Sequence, residues 1–132
     1  MKKHRLALQI RFNDIDMLGH VNNVMFGHYC DAGRYGFMQD IMPHNVDFMK
    51  DDKVMILVHT EFDFMVPCFI TDQLFVETTL EKTGEKSVHL IQEIVDDKGI
   101  VRVRSRSVMS TYDKKTGKSF PLPEEWIHAF IL

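Results

Sequence analysis

Leu6, Leu8, Ile10 and Phe12 fall on alternate positions, the period-two pattern of a half-buried strand over residues 6–12. Residues 13–23 break it. Asp14, Asp16, Gly19, His20, Asn22 and Asn23 favour turns and helix caps, which predicts a loop leading into a helix. From Val24 the period changes: Phe26, Cys30, Gly33, Phe37 and Ile41 recur at spacings of three or four, one helix that Pro43 stops. Residues 54–65 alternate again, with Ile56, Val58, Thr60, Phe62 and Phe64 on one face and His59, Glu61 and Asp63 opposite, and Pro67 ends this strand. Runs at 73–80, 87–95 and 100–112 are joined by short polar turns, which implies antiparallel neighbours. Pro121, Pro123, Glu124 and Glu125 then suit the start of a short helix over 124–130.

The order strand, helix, four strands, short helix predicts an α+β fold in which a curled antiparallel sheet of about five strands wraps one long helix. Gly27, Gly33 and Gly36 each cost that helix about 1 kcal/mol relative to Ala, so the sheet is expected to approach its backbone closely. No repeat, linker or low-complexity segment divides the chain, and residues 1–132 read as one domain.

Composition narrows the function classes. With 45% hydrophobic and 27% charged residues, the 132-residue chain is neither disordered, collagen-like nor a repeat array. A chain this short has little room for a deep enclosed ligand cavity, so a subunit interface could supply the missing walls. Sixteen basic against 19 acidic residues give a net charge of -3, which provides no global attraction to nucleic acid or anionic lipid. No apolar stretch approaches the ~20 residues of a membrane span. The apolar run from Leu6 is interrupted by Gln9 and ended by Arg11 without a small-residue cleavage site, unlike a signal peptide. Cys30 and Cys68 stand apart, as buried thiols do in a reducing compartment, and a cytoplasmic location is expected. Ten Phe and nine Met suit either an ordinary core or an adaptable lipophilic pocket.

Chemistry concentrates in residues 13–23, where two carboxylates, an imidazole and two amides precede a helix start. Unpaired N–H groups at such a start can hold a carbonyl oxygen as charge develops on it, while a nearby carboxylate acts as base or nucleophile. Acyl transfer is the natural chemistry, although the same residue types also serve as plain caps and turn formers. His28 and Cys30 lie two apart on a helix and point to different sides, which argues against a thiol nucleophile. The remaining histidines show no ligand spacing, so no metal site is expected. Arg102, Arg104 and Arg106 share one strand face, near Lys114, Lys115 and Lys118, and with Lys86 in the preceding hairpin they either hold phosphates or form a solvated outer face. Met25, Phe26, Tyr29, Phe62 and Phe64 line either an acyl channel or the core.

Arg11-Phe12-Asn13-Asp14-Ile15-Asp16 followed by Gly19-His20-Val21-Asn22-Asn23 resembles the signature of the 4-hydroxybenzoyl-CoA thioesterase-like hotdog family. The likeness continues through Tyr29, Ala32, Arg34, Pro67, Asp72, Asp113 and the Pro121-Leu122-Pro123-Glu124 run, nearly the whole chain. It implies a hotdog domain, a homodimer or dimer of dimers, that hydrolyses an acyl-CoA ester with neither cofactor nor metal. It further implies that Asp16 is the nucleophile or general base, that the backbone N–H of Asn23 polarises the thioester carbonyl, and that His20 and Asn22 position the loop or substrate. Asp14 is expected to shape the loop, Met25, Phe26, Phe62 and Phe64 to meet the acyl group, and Arg102, Arg104 and Lys86 to meet the CoA phosphates. Residues 16–24 are also similar to the plant acyl-ACP thioesterases, where an Asn lies midway between the Asp and the His; here that position is Leu18. Hotdog enoyl hydratases place Asn-Pro between an Asp and a His five positions apart, whereas His20 follows Asp16 by four. A hotdog domain that binds an acyl thioester or a protein without catalysis is the alternative from another class.

Overall fold

The computed structural model describes residues 3–131. Its elements are β1 (Lys3–Ala7), α1 (Met25–Ile41), β2 (Lys53–Phe64), β3 (Leu74–Thr83), β4 (Ser87–Asp96), β5 (Val101–Asp113) and α2 (Glu124–Ile131), with a 3-10 turn at Phe12–Asp14. All strand pairs are antiparallel in one sheet of order β1-β3-β4-β5-β2. Short turns make β3, β4 and β5 sequential neighbours, while β2, which follows the helix, takes the far edge beside β5. The expected α+β hotdog architecture is the one observed.

Two sequence expectations need correction. β1 occupies Lys3–Ala7 rather than residues 6–12. The chain leaves the sheet after Leu8, whose N–H still reaches the Leu74 carbonyl at 2.9 Å, and Asp14 then draws the backbone into the 3-10 turn by accepting from the Arg11 N–H at 3.0 Å. In β2, a bulge between Leu57 and His59 changes the phase of the strand. Met55 and Leu57 therefore share the inward face with Thr60, Phe62 and Phe64, paired with Thr111, Met109, Ser107, Ser105 and Val103 of β5. Ile56 faces outward and Val58 is the unpaired residue of the bulge, so neither lies with Phe62 and Phe64 as the simple alternation implied.

Close approach of sheet to helix holds for two of the three glycines. A Cβ on Gly33 would stand 2.8 Å from both Val76 methyls, and one on Gly36 would stand 2.8 Å from the His4 ring. Gly27 meets nothing within 4 Å and faces open space.

α1 divides the interior. Its first half buries Phe26, Tyr29 and Cys30 with Val21, Cys68, Leu74, Val76, Ile94 and Val103. Its second half buries Phe37 and Met38 with Met55, Leu80, Leu90, Met109, Trp126 and Phe130. Between them runs a buried polar seam: Arg34 donates to Gln92 Oε1 at 2.9 Å, and the Gln92 amide donates to the Cys30 carbonyl at 2.9 Å and to Thr78 Oγ1 at 3.0 Å. Gln92 and Thr78 are essentially inaccessible, and no buried side-chain polar atom of Arg34, Gln92 or Thr78 lacks a partner, as burial requires.

Candidate active site at the head of the long helix

The loop of residues 13–23 is anchored at three points. Asp14, 1% exposed, accepts from the Tyr29 hydroxyl at 2.7 Å and from the Arg11 N–H and guanidinium at 3.0 and 3.3 Å. Its backbone carbonyl accepts the Asn22 N–H at 2.8 Å, and the Val21 N–H reaches the Cys68 carbonyl at 2.7 Å. Burial raises the Asp14 pKa, but the Arg11 N–H and Tyr29 hydroxyl outweigh it and hold the carboxyl below its ordinary value. Burial, aided by the charged Asp14 partner, pushes the Tyr29 hydroxyl well up, so it remains a donor. The expectation that Asp14 shapes the loop agrees with this geometry.

Asp16 sits on the turn that these anchors carry. Its N–H donates to the His20 carbonyl at 2.9 Å, and its Oδ1 accepts from the N–H groups of Leu18 at 2.9 Å and His20 at 3.4 Å. Gly19, at φ +82°, occupies the left-handed conformation that lets the chain reverse here. Oδ2 of Asp16 has no hydrogen-bond partner among the described residues, and the side chain is only half-buried. One carboxylate oxygen is thus fixed by the loop and the other left open.

The turn that leads into α1 supplies the complementary group. Asn22 braces this turn, its Oδ1 accepting from the Val24 N–H at 3.2 Å and its carbonyl from the Met25 N–H at 2.9 Å. The Asn23 N–H has no acceptor among the described residues, and Asn23 is exposed. It lies one residue ahead of Val24, the N-cap of α1, while the N–H groups of Met25, Phe26 and Gly27 are taken by the carbonyls of Asn22, Asn23 and Val24.

The other sequence candidates divide. His20 packs edge to face on Phe69 at 5.0 Å and makes no ion pair with Asp16 among the described residues, so its link to Asp16 runs through the backbone. Phe62 stacks on Phe64 at 5.8 Å, and Phe64 meets Phe26 at 5.8 Å, which gathers these rings beside the loop with Met25 half-buried near them. Phe26 is core, whereas Phe64 remains about half exposed. Arg102 is not a free phosphate contact: it donates to Asp72 at 2.9 and 3.3 Å, to Asp96 at 3.1 Å and to the Pro67 carbonyl at 2.7 Å. This network ties β5 to the segment carrying Cys68, and so to the loop. Arg104 lies 4.0 Å from Glu93 and Arg106 3.9 Å from Glu81, loose pairs on the outer face. Lys86 closes the turn before β4, at the opposite end of that strand from Asp96, roughly 30 Å away by strand rise. A single chain therefore does not bring Lys86 to its own Asp16 loop. Sequence reasoning missed the pairing of Tyr29 with Asp14 and the Arg34 seam, because each partner is distant along the chain and carries no local motif. Both free cysteines are buried, and burial pushes Cys30 up to about 11, which leaves it an inert thiol at neutral pH.

One long helix wrapped by a five-stranded antiparallel sheet, with a carboxylate-bearing loop at the helix head, defines a hotdog domain. The chain matches the thioesterase-like superfamily over residues 10–130 and belongs to it. Among solved structures it resembles the DHNA-CoA thioesterase of Staphylococcus aureus at a TM-score of 0.89 and 16% identity, covering 98% of this chain and 89% of that one. A mutant 4-hydroxybenzoyl-CoA thioesterase complexed with 4-hydroxybenzoyl-CoA superposes at 0.88 with 14% identity, over 98% and 99%. A chloroplastic acyl-acyl carrier protein thioesterase of Arabidopsis thaliana is 21% identical over 108 residues, 80% of this chain, and the chain spans only 57% of that relative's length.

Proposed function

We propose that this chain hydrolyses an acyl-CoA thioester to a carboxylic acid and free CoA. The observation that carries the proposal is that one loop, pinned by Tyr29 to the long helix, holds both an open Asp16 oxygen and an unclaimed Asn23 N–H. The Asn23 N–H donates to the thioester carbonyl oxygen and strengthens its hold as that oxygen becomes negative, which is where catalytic stabilisation counts. Asp16 either takes a proton from water, whose oxygen then adds to the carbonyl carbon, or adds to it directly and forms an acyl-enzyme anhydride that water cleaves. In both courses the C–S bond breaks and the CoA sulfur leaves as the thiolate and takes up a proton. His20 holds the turn through its backbone. Membership of the thioesterase-like superfamily supports the same reaction.

The functional unit is a homodimer or a dimer of dimers. β2 is an edge strand with Ile56, Leu57 and Val58 exposed, and an unpaired apolar edge calls for a partner. A two-fold axis through the middle of β2 pairs it antiparallel with its copy and sets the copy's Lys53 end beside Phe64. That end carries the turn with Lys86, because Ile56 pairs with Ser110 and Ser110 with Ser87. The copy's Lys86, with Arg104, remains available to CoA phosphates where the chain's own Arg102 does not. Buried, unpaired cysteines agree with a reducing cytoplasmic setting, and no described helix is long and apolar enough to cross a membrane. The Arabidopsis relative favours one second reading, an acyl carrier protein in place of CoA as thiol carrier. Thiol release from matched acyl-CoA and acyl-carrier-protein esters tests both: release from CoA esters is expected, release only from the carrier protein transfers the assignment, and release from neither leaves a binding domain.

A further inference from the structure

We infer that a second feature, a cavity beside the other half of α1, is the acyl site, and that its occupant is the flexible hydrocarbon chain of an aliphatic acyl group. This rests on the thioesterase reading and adds the substrate class. The cavity measures about 590 Å3, in the size range of small-molecule sites. Met38 and Met42 of α1, Met49 of the connection to β2, Met55 of β2 and Met109 of β5 all line it. Five of the nine methionines in the chain thus converge on one cavity.

Methionine is unbranched and polarizable, and a wall built of it reshapes around its contents. Such a wall suits a chain of variable length and bend. A flat aryl group gains most from fixed ring faces and from a polar partner for each ring substituent. The wall also carries the rings of Phe48, packed on Trp126 at 5.4 Å, and of the largely exposed Tyr35, fewer than its five thioethers, and its two carboxylates are already engaged, Asp31 by Arg34 at 2.7 Å and Asp47 by the Met49 N–H at 3.0 Å. Arg34 is in turn held by Gln92.

Within one chain the cavity and Asp16 lie at opposite halves of α1. Two-fold pairing of β2 removes that separation. Phe64 touches Phe26 beside the Asp16 loop, whereas Met55 and Leu57, near the Lys53 end, line the cavity. Antiparallel edges bring those two ends together, so the Asp16 loop of the copy lies on the cavity's side.

Two measurements test the assignment. In protein carrying 13C-methyl methionine, decanoate is expected to shift the methyl signals of Met38, Met42, Met55 and Met109 and to leave exposed Met17 unmoved, while benzoate shifts none. With CoA esters from butyryl to myristoyl, kcat/KM is expected to rise by up to about fourfold per methylene until the cavity is full. Met109→Phe is expected to lower kcat/KM for the longest chains by about tenfold or more relative to butyryl-CoA. Benzoyl-CoA as the best substrate, an equal loss across all chain lengths in Met109→Phe, or methionine methyls that ignore decanoate would each overturn the assignment. If no CoA ester is cleaved, the thioesterase reading fails, and the methyl shifts alone decide whether the cavity binds hydrocarbon.

Discussion

The two halves of α1 face chemically different surroundings. At its head, Tyr29, Asp14, Arg11 and Asn22 form short hydrogen bonds that fix a loop and leave two polar groups of that loop unspent. At its other end, Phe37 and Met38 pack with aromatic and methionine side chains, and a cavity of about 590 Å3 remains. Directional bonds hold groups to fractions of an ångström, as bond-making chemistry needs, whereas thioether packing tolerates change of shape. The Arg34–Gln92–Thr78 seam separates the regimes, and one helix thereby serves both.

Gln92→Leu should disturb this division most. It removes one acceptor from the buried Arg34 guanidinium, which keeps Asp31, and the side-chain donor to the Cys30 carbonyl and Thr78, at a cost of roughly 2–4 kcal/mol in denaturant unfolding. A loss below about 1 kcal/mol would show that the seam is not a structural divide. Tyr29→Phe should cost about 1.5–3 kcal/mol, since it removes a hydrogen bond to a charged, buried carboxylate. It should also lower kcat more than it raises KM, because the loop that presents Asp16 loosens while the acyl cavity is untouched. The reverse pattern would place Tyr29 in substrate binding.

Acid should weaken the head of the helix. The folded-state pKa of Asp14 lies below its ordinary 3.8, so the unfolded chain binds the extra proton. Its stabilisation is complete above that unfolded value and is lost as pH falls through the folded one. Asp96, lowered by the Ile100 N–H, follows the same sign. Asp14→Asn should therefore be less stable at neutral pH yet flatter in its stability below pH ~4. An unchanged acid profile would remove Asp14 as the anchor. The smallest effect belongs to the methionine end, where Met109→Leu should cost less than about 1.5 kcal/mol in thermal or denaturant unfolding. A larger penalty would mean a rigid wall rather than an adaptable one.

How much of this was legible in the sequence follows from how local each signal is. α1 showed itself through its 3.6-residue period and Pro43, and the loop through clustered turn formers and its resemblance to the hotdog signature. The bulge after Leu57 was invisible, because a slip of one residue in a β-branched and aromatic run leaves composition unchanged while turning side chains over. β1 was misplaced for a similar reason: alternation continues to Phe12, but Asp14 takes the backbone out of the sheet. Arg102 looked free because Asp72 and Asp96 meet it only in space. The methionine cavity left a trace in composition alone, since its wall comes from residues as far apart as Met38 and Met109.

Asp16→Asn tests the central claim most directly, because it keeps the side chain's shape and its Oδ1 acceptor while removing the negative charge. Thiol release from a saturating aliphatic acyl-CoA should fall roughly 10²–10⁴-fold with the unfolding temperature unchanged. Equal release by the two proteins would contradict Asp16 as the catalytic carboxylate.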